Sequence, residues 1–275
     1  MGKFDGVAIL SDLDGTFLSS RSKEVARNLE AIDYFKSEGG RFSLATGRMH
    51  YNLDYLIPSL KHLTNAPSIL CNGTYLYDFS CEKILAEQFM TPEESLAAVA
   101  HIMKLVKNFR LRISRREGYL VEISDTYSVG ELKGYGIDAF DVLPFSEWSG
   151  ERWYKLVISG QPEEIAAMEA SLMQNFPDVF EYNRSRPTTL ELQMKGTNKA
   201  SLLPAYRDFL AKNGENRRVY MCGDYENDEV MLRAADVAVC PANALPSIKA
   251  ICNHCFCSND DGVIADLIQY LDRTN

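Results

Sequence analysis

The chain has 275 residues, 46% of them hydrophobic, and a formal net charge of −9 at neutral pH. That length suggests about two domains with ample material for a buried core, and an acidic balance relieved only by isolated pairs such as Arg115-Arg116 and Arg217-Arg218 argues against broad binding to nucleic acid or an anionic membrane. With no basic and apolar leader, no run of about 18 apolar residues, and seven scattered cysteines that suit reduced thiols better than a disulfide framework, a soluble cytoplasmic protein is the expectation.

The first apolar run, Val7-Ala-Ile-Leu, breaks off into Ser11-Asp-Leu-Asp-Gly-Thr16. A strand here, with its two-residue period, delivers Asp12 and Asp14 to one face, and Gly15 permits a sharp turn beyond them. Two such carboxylates repel. A site that keeps both ionised needs a cation, one that keeps a proton has a general acid, and a plain polar strand end is the third reading. Helical spacing of Val25, Leu29, Ile32 and Phe35 predicts a helix over 24–37, stopped at Gly39-Gly40. A second strand over 41–45 runs into Thr46-Gly47-Arg48, and a helix over 51–56 is halted by Pro58. A short strand over 68–71 precedes a turn at Asn72-Gly73 and a further strand over 74–77. This β-α-β-α order predicts an α/β first part with a parallel sheet.

From about Ala86 the pattern changes. Thr91 caps and Pro92 opens a helix extending to about Val106. Strands are predicted over 109–114, 119–123, 153–159, 179–182 and 188–193, with a second helix over 162–176. Strands with only two helices predict a smaller α+β domain inserted over 86–190. Tyr119, Trp148, Trp153, Arg184 and Arg186 could face a substrate there, or equally be packing or solvated surface. After Met194 the α/β rhythm resumes: a helix over 200–212, a strand over 218–222 leading into Gly223-Asp-Tyr-Glu-Asn-Asp228, a strand over 236–240, and a closing amphipathic helix over 261–271. Cys252-Asn-His-Cys255-Phe-Cys257 has C-x-x-C spacing but no second ligand pair at zinc-finger distance, and its alternation fits a short strand better than a zinc site.

In an open α/β sheet, ligands collect outside the carboxyl ends of the strands, so Asp12/Asp14 and Asp224/Asp228 can converge. Magnesium suits such a set: it takes oxygen ligands and is usually completed by one or two carboxylates and substrate phosphate oxygens. Thr46 can donate to a phosphate oxygen, and Lys199, near a helix start, can neutralise both substrate and an aspartate. Taken singly, Thr46 reads as a turn residue and Lys199 as an exposed charge near Lys195.

In chain order, Asp12-Leu-Asp-Gly-Thr16, Ala45-Thr-Gly-Arg48, Lys195-Gly-Thr-Asn-Lys199 and Gly223-Asp-Tyr-Glu-Asn-Asp228 together resemble the motifs of the haloacid dehalogenase superfamily, and more closely its Cof-type phosphatases with a type IIB cap. The resemblance extends to Asn72-Gly73, Asn243-Ala244 and Asn259-Asp-Asp-Gly262, so it spans both flanks of the chain. It implies a Rossmann-like parallel-sheet core from 1–85 and 191–275, with an α+β cap over 86–190 that selects the leaving group.

By the same resemblance, Asp12 is the nucleophile that becomes an aspartyl-phosphate. Asp14 is the acid and then the base, and it also offers Mg2+ its backbone carbonyl. Asp224 is the second carboxylate ligand of the metal, with Asp228 acting directly or through water. Thr46 and Lys199 grip the transferring phosphoryl group, and the Gly-x-x-Lys run selects Lys199 over Lys195. Gly47, Arg48, Asn72, Gly73 and Asn227 border the substrate. Where the family commonly has Met-Gly before Asn-Ala, this chain has Pro241-Ala242.

The resulting expectation is a magnesium-dependent phosphomonoester hydrolase acting on sugar phosphates or similar small metabolites, with no nucleic-acid or membrane partner. Phosphatases of flavin or pyridoxal phosphates come next. A phosphosugar mutase shares the first half-reaction. A dehalogenase has no need of an acid at Asp14, and a phospho-acceptor signalling protein is disfavoured by an Asp14 placed to speed hydrolysis. Dinucleotide binding lacks its Gly-x-Gly-x-x-Gly after the first strand.

Overall fold

Val7–Ser11 is buried along its whole length, as a strand covered on both faces must be. It pairs in parallel with Arg218–Cys222 on one side and Arg41–Leu44 on the other. The computed structural model describes residues 2–21, 23–105 and 109–274. Among these, Val237–Cys240 and His254–Cys255 extend the sheet past Arg218–Cys222, making five parallel strands. Chain order reverses at Val7–Ser11, and it is outside the carboxyl end of such a strand that open α/β sheets bind their ligands.

This sheet belongs to one of two compact units, Met1–Glu87 with Asn198–Asn275; the other is Gln88–Thr197. In the first unit, Ala8, Leu10, Val219, Met221 and Ala238 pack with Tyr206 and Leu210 of the helix Leu203–Lys212 and with Met231 and Leu232 of Glu229–Ala234. The helices Ala26–Ser37 and Val263–Thr274 run together. Asn28, fully buried, joins them by accepting from the Ala265 backbone N–H and donating to the Phe17 carbonyl. Ser68–Leu70, Tyr75–Asp78 and Lys83–Glu87 form a small antiparallel sheet, tied to the main sheet by a bridge between Ala45 and Ile69.

In the second unit the spatial order of strands is Phe180–Arg186, Thr189–Met194, Trp153–Ser159, Arg110–Arg115, Gly118–Glu122 and Phe140–Leu143. Every pairing is antiparallel except the last. Pro92–Leu105 and Pro162–Asn175 cover the sheet, setting Ile102, Ile165, Met168 and Leu172 against Leu111, Ile113, Leu156, Ile158 and Leu190. Trp148 and Trp153 meet edge to face in this core, centroids 5.6 Å apart, and Arg184 pairs with Glu169. These three side chains are packing and ion-pair residues of the unit.

Three local differences from the sequence reading have physical causes. A third helix, Thr126–Gly134, stands between Gly118–Glu122 and Phe140–Leu143; it starts where the Asp125 carboxylate accepts from the Ser128 N–H, and it buries just Ser128 and Leu132. With no apolar stripe, periodicity has nothing to register. Phe140–Leu143 is a half-exposed strand and is hidden for the same reason. Thr189–Met194 is hydrogen-bonded to strands on both sides, which carries the second unit past 190 to Thr197. The expected helix end at Val106 lies outside the described residues; the helix is seen to Leu105. No helix among the described residues is long and apolar enough to cross a membrane.

Candidate active site

Four loops at the carboxyl end of the parallel sheet bring the motif residues together. Asp12 directly follows Val7–Ser11, with its N–H donated to the Cys222 carbonyl at 2.8 Å, and it is buried. The chain then turns at Gly15 because Asp224 lies against it: a Cβ there would sit 2.5 Å from Asp224 Oδ2. Thr16 Oγ1 donates to Asp224 Oδ1 at 2.8 Å. Two asparagines hold this turn from the far end of the chain. Asn243 Nδ2 donates to the Gly15 carbonyl, and Asn259 donates its N–H to Asn243 Oδ1 and its Nδ2 to the Leu18 carbonyl.

Asp224 and Asp228 follow Arg218–Cys222. Asp228 is fully buried. Its Oδ2 accepts from the Asp224 and Tyr225 N–H groups at 2.9 and 3.1 Å, which folds the loop around it. Its Oδ1 accepts from Lys199 Nζ at 2.6 Å, and the same ammonium lies 2.5 Å from Asp12 Oδ1. Lys199 is 2% exposed. Lys195, its sequence rival, is in the second unit and surface-paired with Glu181.

Thr46 and Arg48 lie on the loop after Arg41–Leu44. Thr46 is buried, and its hydroxyl accepts from the Arg48 N–H at 3.3 Å. Arg48 forks onto Asp14, Nε to Oδ2 at 2.8 Å and Nη2 to Oδ1 at 2.7 Å. Asp14 is half exposed. The neighbouring turn is fastened to this loop: the Asn72 N–H donates to the Thr46 carbonyl and the Cys71 N–H to the Arg48 carbonyl. Cys71 and Asn72 both have φ near 52°, and Gly73 has φ 90°, a run of left-handed backbone that is strained at the first two positions. A Cβ on Gly73 would meet the Asn198 carbonyl oxygen at 1.8 Å. Gly73 is therefore the seat on which the residue before Lys199 rests. Gly47 is similarly close to Asn72, where a Cβ would lie 2.7 Å from Oδ1. Asn227, on the turn Glu226–Asp228, is exposed.

Oxygens of Asp12, Asp224 and Asp228 all lie within 4.8 Å of one another. Burial pushes the Asp12 carboxyl well above the usual carboxylate range, and repulsion from Asp228 adds to this while Lys199 works against it. Asp224 is pushed up to about 6, first by burial; the Thr16 hydrogen bond opposes the rise and Asp228 adds to it. Burial alone would lower Lys199, but its contacts with Asp12 and Asp228 outweigh that and hold it above its ordinary value. An all-oxygen donor set of crowded, partly desolvated carboxylates fits a hard divalent cation such as Mg2+, which would relieve the repulsion. A cation held there would compete with the proton for Asp224. With Asp224 pushed up to about 6 and Asp12 raised well above the usual carboxylate range, Mg2+ affinity measured by calorimetry is expected to weaken as pH is lowered, by up to about tenfold per unit for each proton displaced.

Thr16, Asn243 and Asn259 are site-building residues to which sequence reasoning assigned no role. A hydroxyl directly after Gly15 was the available signal for Thr16, whereas the asparagine ties join positions over two hundred residues apart.

Residues 9–268 match the haloacid dehalogenase-like hydrolase family. The chain is 24% identical over 282 residues to pyridoxal phosphate phosphatase YbhA of Escherichia coli, an alignment covering 94% of this chain and 96% of the relative. It is 23% identical over 262 residues to 5-amino-6-(5-phospho-D-ribitylamino)uracil phosphatase YcsE of Bacillus subtilis, covering 95% and 94% respectively. Among solved structures its fold is similar to that of the HAD subclass IIB sugar phosphatase BT4131, with TM-score 0.79 and 20% identity over 96% of this chain and 98% of the other.

Proposed function

Because this chain belongs to the haloacid dehalogenase-like hydrolases, we propose that it is a Cof-type, magnesium-dependent phosphatase of small phosphorylated metabolites that works through an aspartyl-phosphate on Asp12. The observation that carries this reading is the buried Asp12 held against Lys199, with Asp224 and Asp228 beside it. Asp12, Asp224 and the Asp14 backbone carbonyl would hold the Mg2+, with Asp228 anchoring the loop and reaching the ion through water. Bound there, the ion supplies positive charge to the carboxylates and to the phosphoryl oxygens.

In the first half-reaction an Asp12 carboxylate oxygen attacks phosphorus, the ester P–O bond breaks, and the leaving alkoxide takes a proton from Asp14. Arg48 engages both Asp14 oxygens. Each oxygen has a second lone pair, so the carboxyl is oriented by Arg48 and still able to exchange a proton. In the second half-reaction Asp14 takes a proton from water as the water oxygen attacks phosphorus, and the Asp12 oxygen–phosphorus bond breaks to release orthophosphate. Lys199 and the Thr46 hydroxyl stabilise the phosphoryl oxygens in both steps. Arg48 is thus a positioning residue for Asp14 as well as a border of the substrate pocket.

Sugar phosphates lead the substrate expectation, with phosphorylated cofactors as the second class. The named activity of the Escherichia coli relative falls in this second class, whereas the named substrate of the Bacillus subtilis relative carries its phosphate on a ribityl chain and stands nearer the first. The Gln88–Thr197 unit is assigned the choice of leaving group. The proposal is tested by hydrolysis of p-nitrophenyl phosphate with and without EDTA, alongside Asp14→Asn. Wild type is expected to turn over and to stop on chelation. Asp14→Asn is expected to release about one equivalent of nitrophenolate rapidly, since that leaving group needs no proton, and then to slow by about 10²–10⁴-fold for want of a base. Wild-type turnover undiminished by EDTA would refute the magnesium requirement, and steady turnover of Asp14→Asn at the wild-type rate would refute the role of Asp14.

A further inference from the structure

We propose that the Tyr75 hydroxyl is a positioning group for the general acid, holding the loop that carries Arg48 so that Arg48 can aim Asp14. This rests on the acid–base role proposed above for Asp14. Tyr75 is fully buried. Its hydroxyl accepts from the His50 N–H at 2.8 Å and lies 3.0 Å from His50 Nδ1 and 3.9 Å from Met49 Sδ. A phenol can accept and donate at once, so it takes the N–H and can give its own proton to the imidazole or the thioether.

His50 opens the helix His50–Leu56, and Met49, at the cap position, makes no side-chain hydrogen bond to it. The first N–H groups of a helix have no partner within it, and the phenol supplies one. The loop is fastened at three earlier points as well. The Thr46 N–H donates to the Ile69 carbonyl, the Asn72 N–H to the Thr46 carbonyl and the Cys71 N–H to the Arg48 carbonyl, each at 3.0 Å. Those are main-chain bonds that many sequences could make. The bond at His50 needs a hydroxyl, and it fixes the chain two residues beyond Arg48. The Arg48 and Asp14 side chains are 32% and 50% exposed, and an ion pair so open to water holds little by itself. Arg48 therefore orients the Asp14 carboxyl only as firmly as its own backbone is held, and small displacements of a reacting group are costly.

The test separates acid catalysis from the rest of the site. Release of the leaving group is followed in single turnovers with Mg2+ and with enzyme saturating and in excess. The two esters are p-nitrophenyl phosphate, whose leaving group needs no proton, and phenyl phosphate, whose leaving group gains from one. Tyr75→Phe is expected to stay within about twofold of wild type on the first and to slow by about tenfold or more on the second. Arg48→Met is expected to show the same split, and the double variant to lose no more than Arg48→Met alone, because the hydroxyl acts through Arg48. A merely structural role would slow both esters alike and multiply the losses. His50→Pro, which deletes the N–H and suits the first residue of a helix, serves if Tyr75→Phe does not fold. Equal losses on the two esters, no loss on phenyl phosphate, or losses that multiply in the double variant overturn the inference. Asp14→Asn, run alongside, tells this failure from that of the underlying reading: if it is as fast as wild type on phenyl phosphate, Asp14 is not the acid and the inference falls with it.

Discussion

Asp12→Asn is expected to lower p-nitrophenyl phosphate turnover by about 10⁴-fold or more, since an amide oxygen is no match for a carboxylate as nucleophile. Circular dichroism and thermal stability should stay near those of wild type. The reason lies in the electrostatics of the cluster. Asp12 is an unfavourable charge in the fold, held well above the usual carboxylate range by burial and by Asp228. Removing that charge relieves repulsion while Lys199 keeps its 2.6 Å contact with Asp228. A large loss of turnover with an unchanged melting temperature separates a chemical role from a structural one. An Asp12→Asn variant that retains most of its activity would leave the nucleophile unassigned.

Gly73→Ala is expected to cost about 100-fold in kcat without touching any reacting group. The new Cβ would lie 1.8 Å from the Asn198 carbonyl oxygen, at a backbone φ of 90° that disfavours alanine. That carbonyl cannot simply retreat, because it accepts from the Ser201 N–H at 2.9 Å and from Ser201 Oγ at 2.8 Å. Either the 198–201 turn moves, and Lys199 with it, or the 71–73 turn moves and pulls on the Thr46 carbonyl to which Asn72 is bonded. Stability should fall by about 1–3 kcal/mol. Gly214→Ala provides the control: it has a comparable φ of 73° but open space around the site of a Cβ, so it is expected to lose stability only. Steady-state kinetics and thermal melts on the two variants distinguish displacement of Lys199 from backbone strain alone.

The parts of this molecule that sequence made legible are those whose cause is local. Val7–Leu10 is apolar and then breaks into Asp12, so the strand and its acidic end are both visible. Pro162–Asn175 could be read because Pro162 opens it and Ile165, Met168 and Leu172 repeat along one buried face. Thr126–Gly134 could not, since its start rests on the Asp125 cap and its inner face is little more than Leu132. At the site, Asp12, Thr46, Lys199 and Asp224 stand out as motif residues, but what each one touches is tertiary. Nothing adjacent to Gly73 announces that it carries Asn198, and the hydroxyl after Gly15, though visible at Thr16, does not name Asp224 as its partner. The pairing of Arg48 with Asp14 likewise joins two motifs that are separate in the chain.

Under the proposed function the phosphoryl group passes through Asp12. A single turnover of p-nitrophenyl phosphate by Asp14→Asn with Mg2+, quenched in acid and followed by proteolysis and mass spectrometry, tests it most directly. One phosphoryl group is expected on the peptide that contains Asp12, lost on treatment with hydroxylamine as an acyl phosphate is. Nitrophenolate release with no phosphorylated peptide, or with the phosphoryl group on another residue, would contradict it.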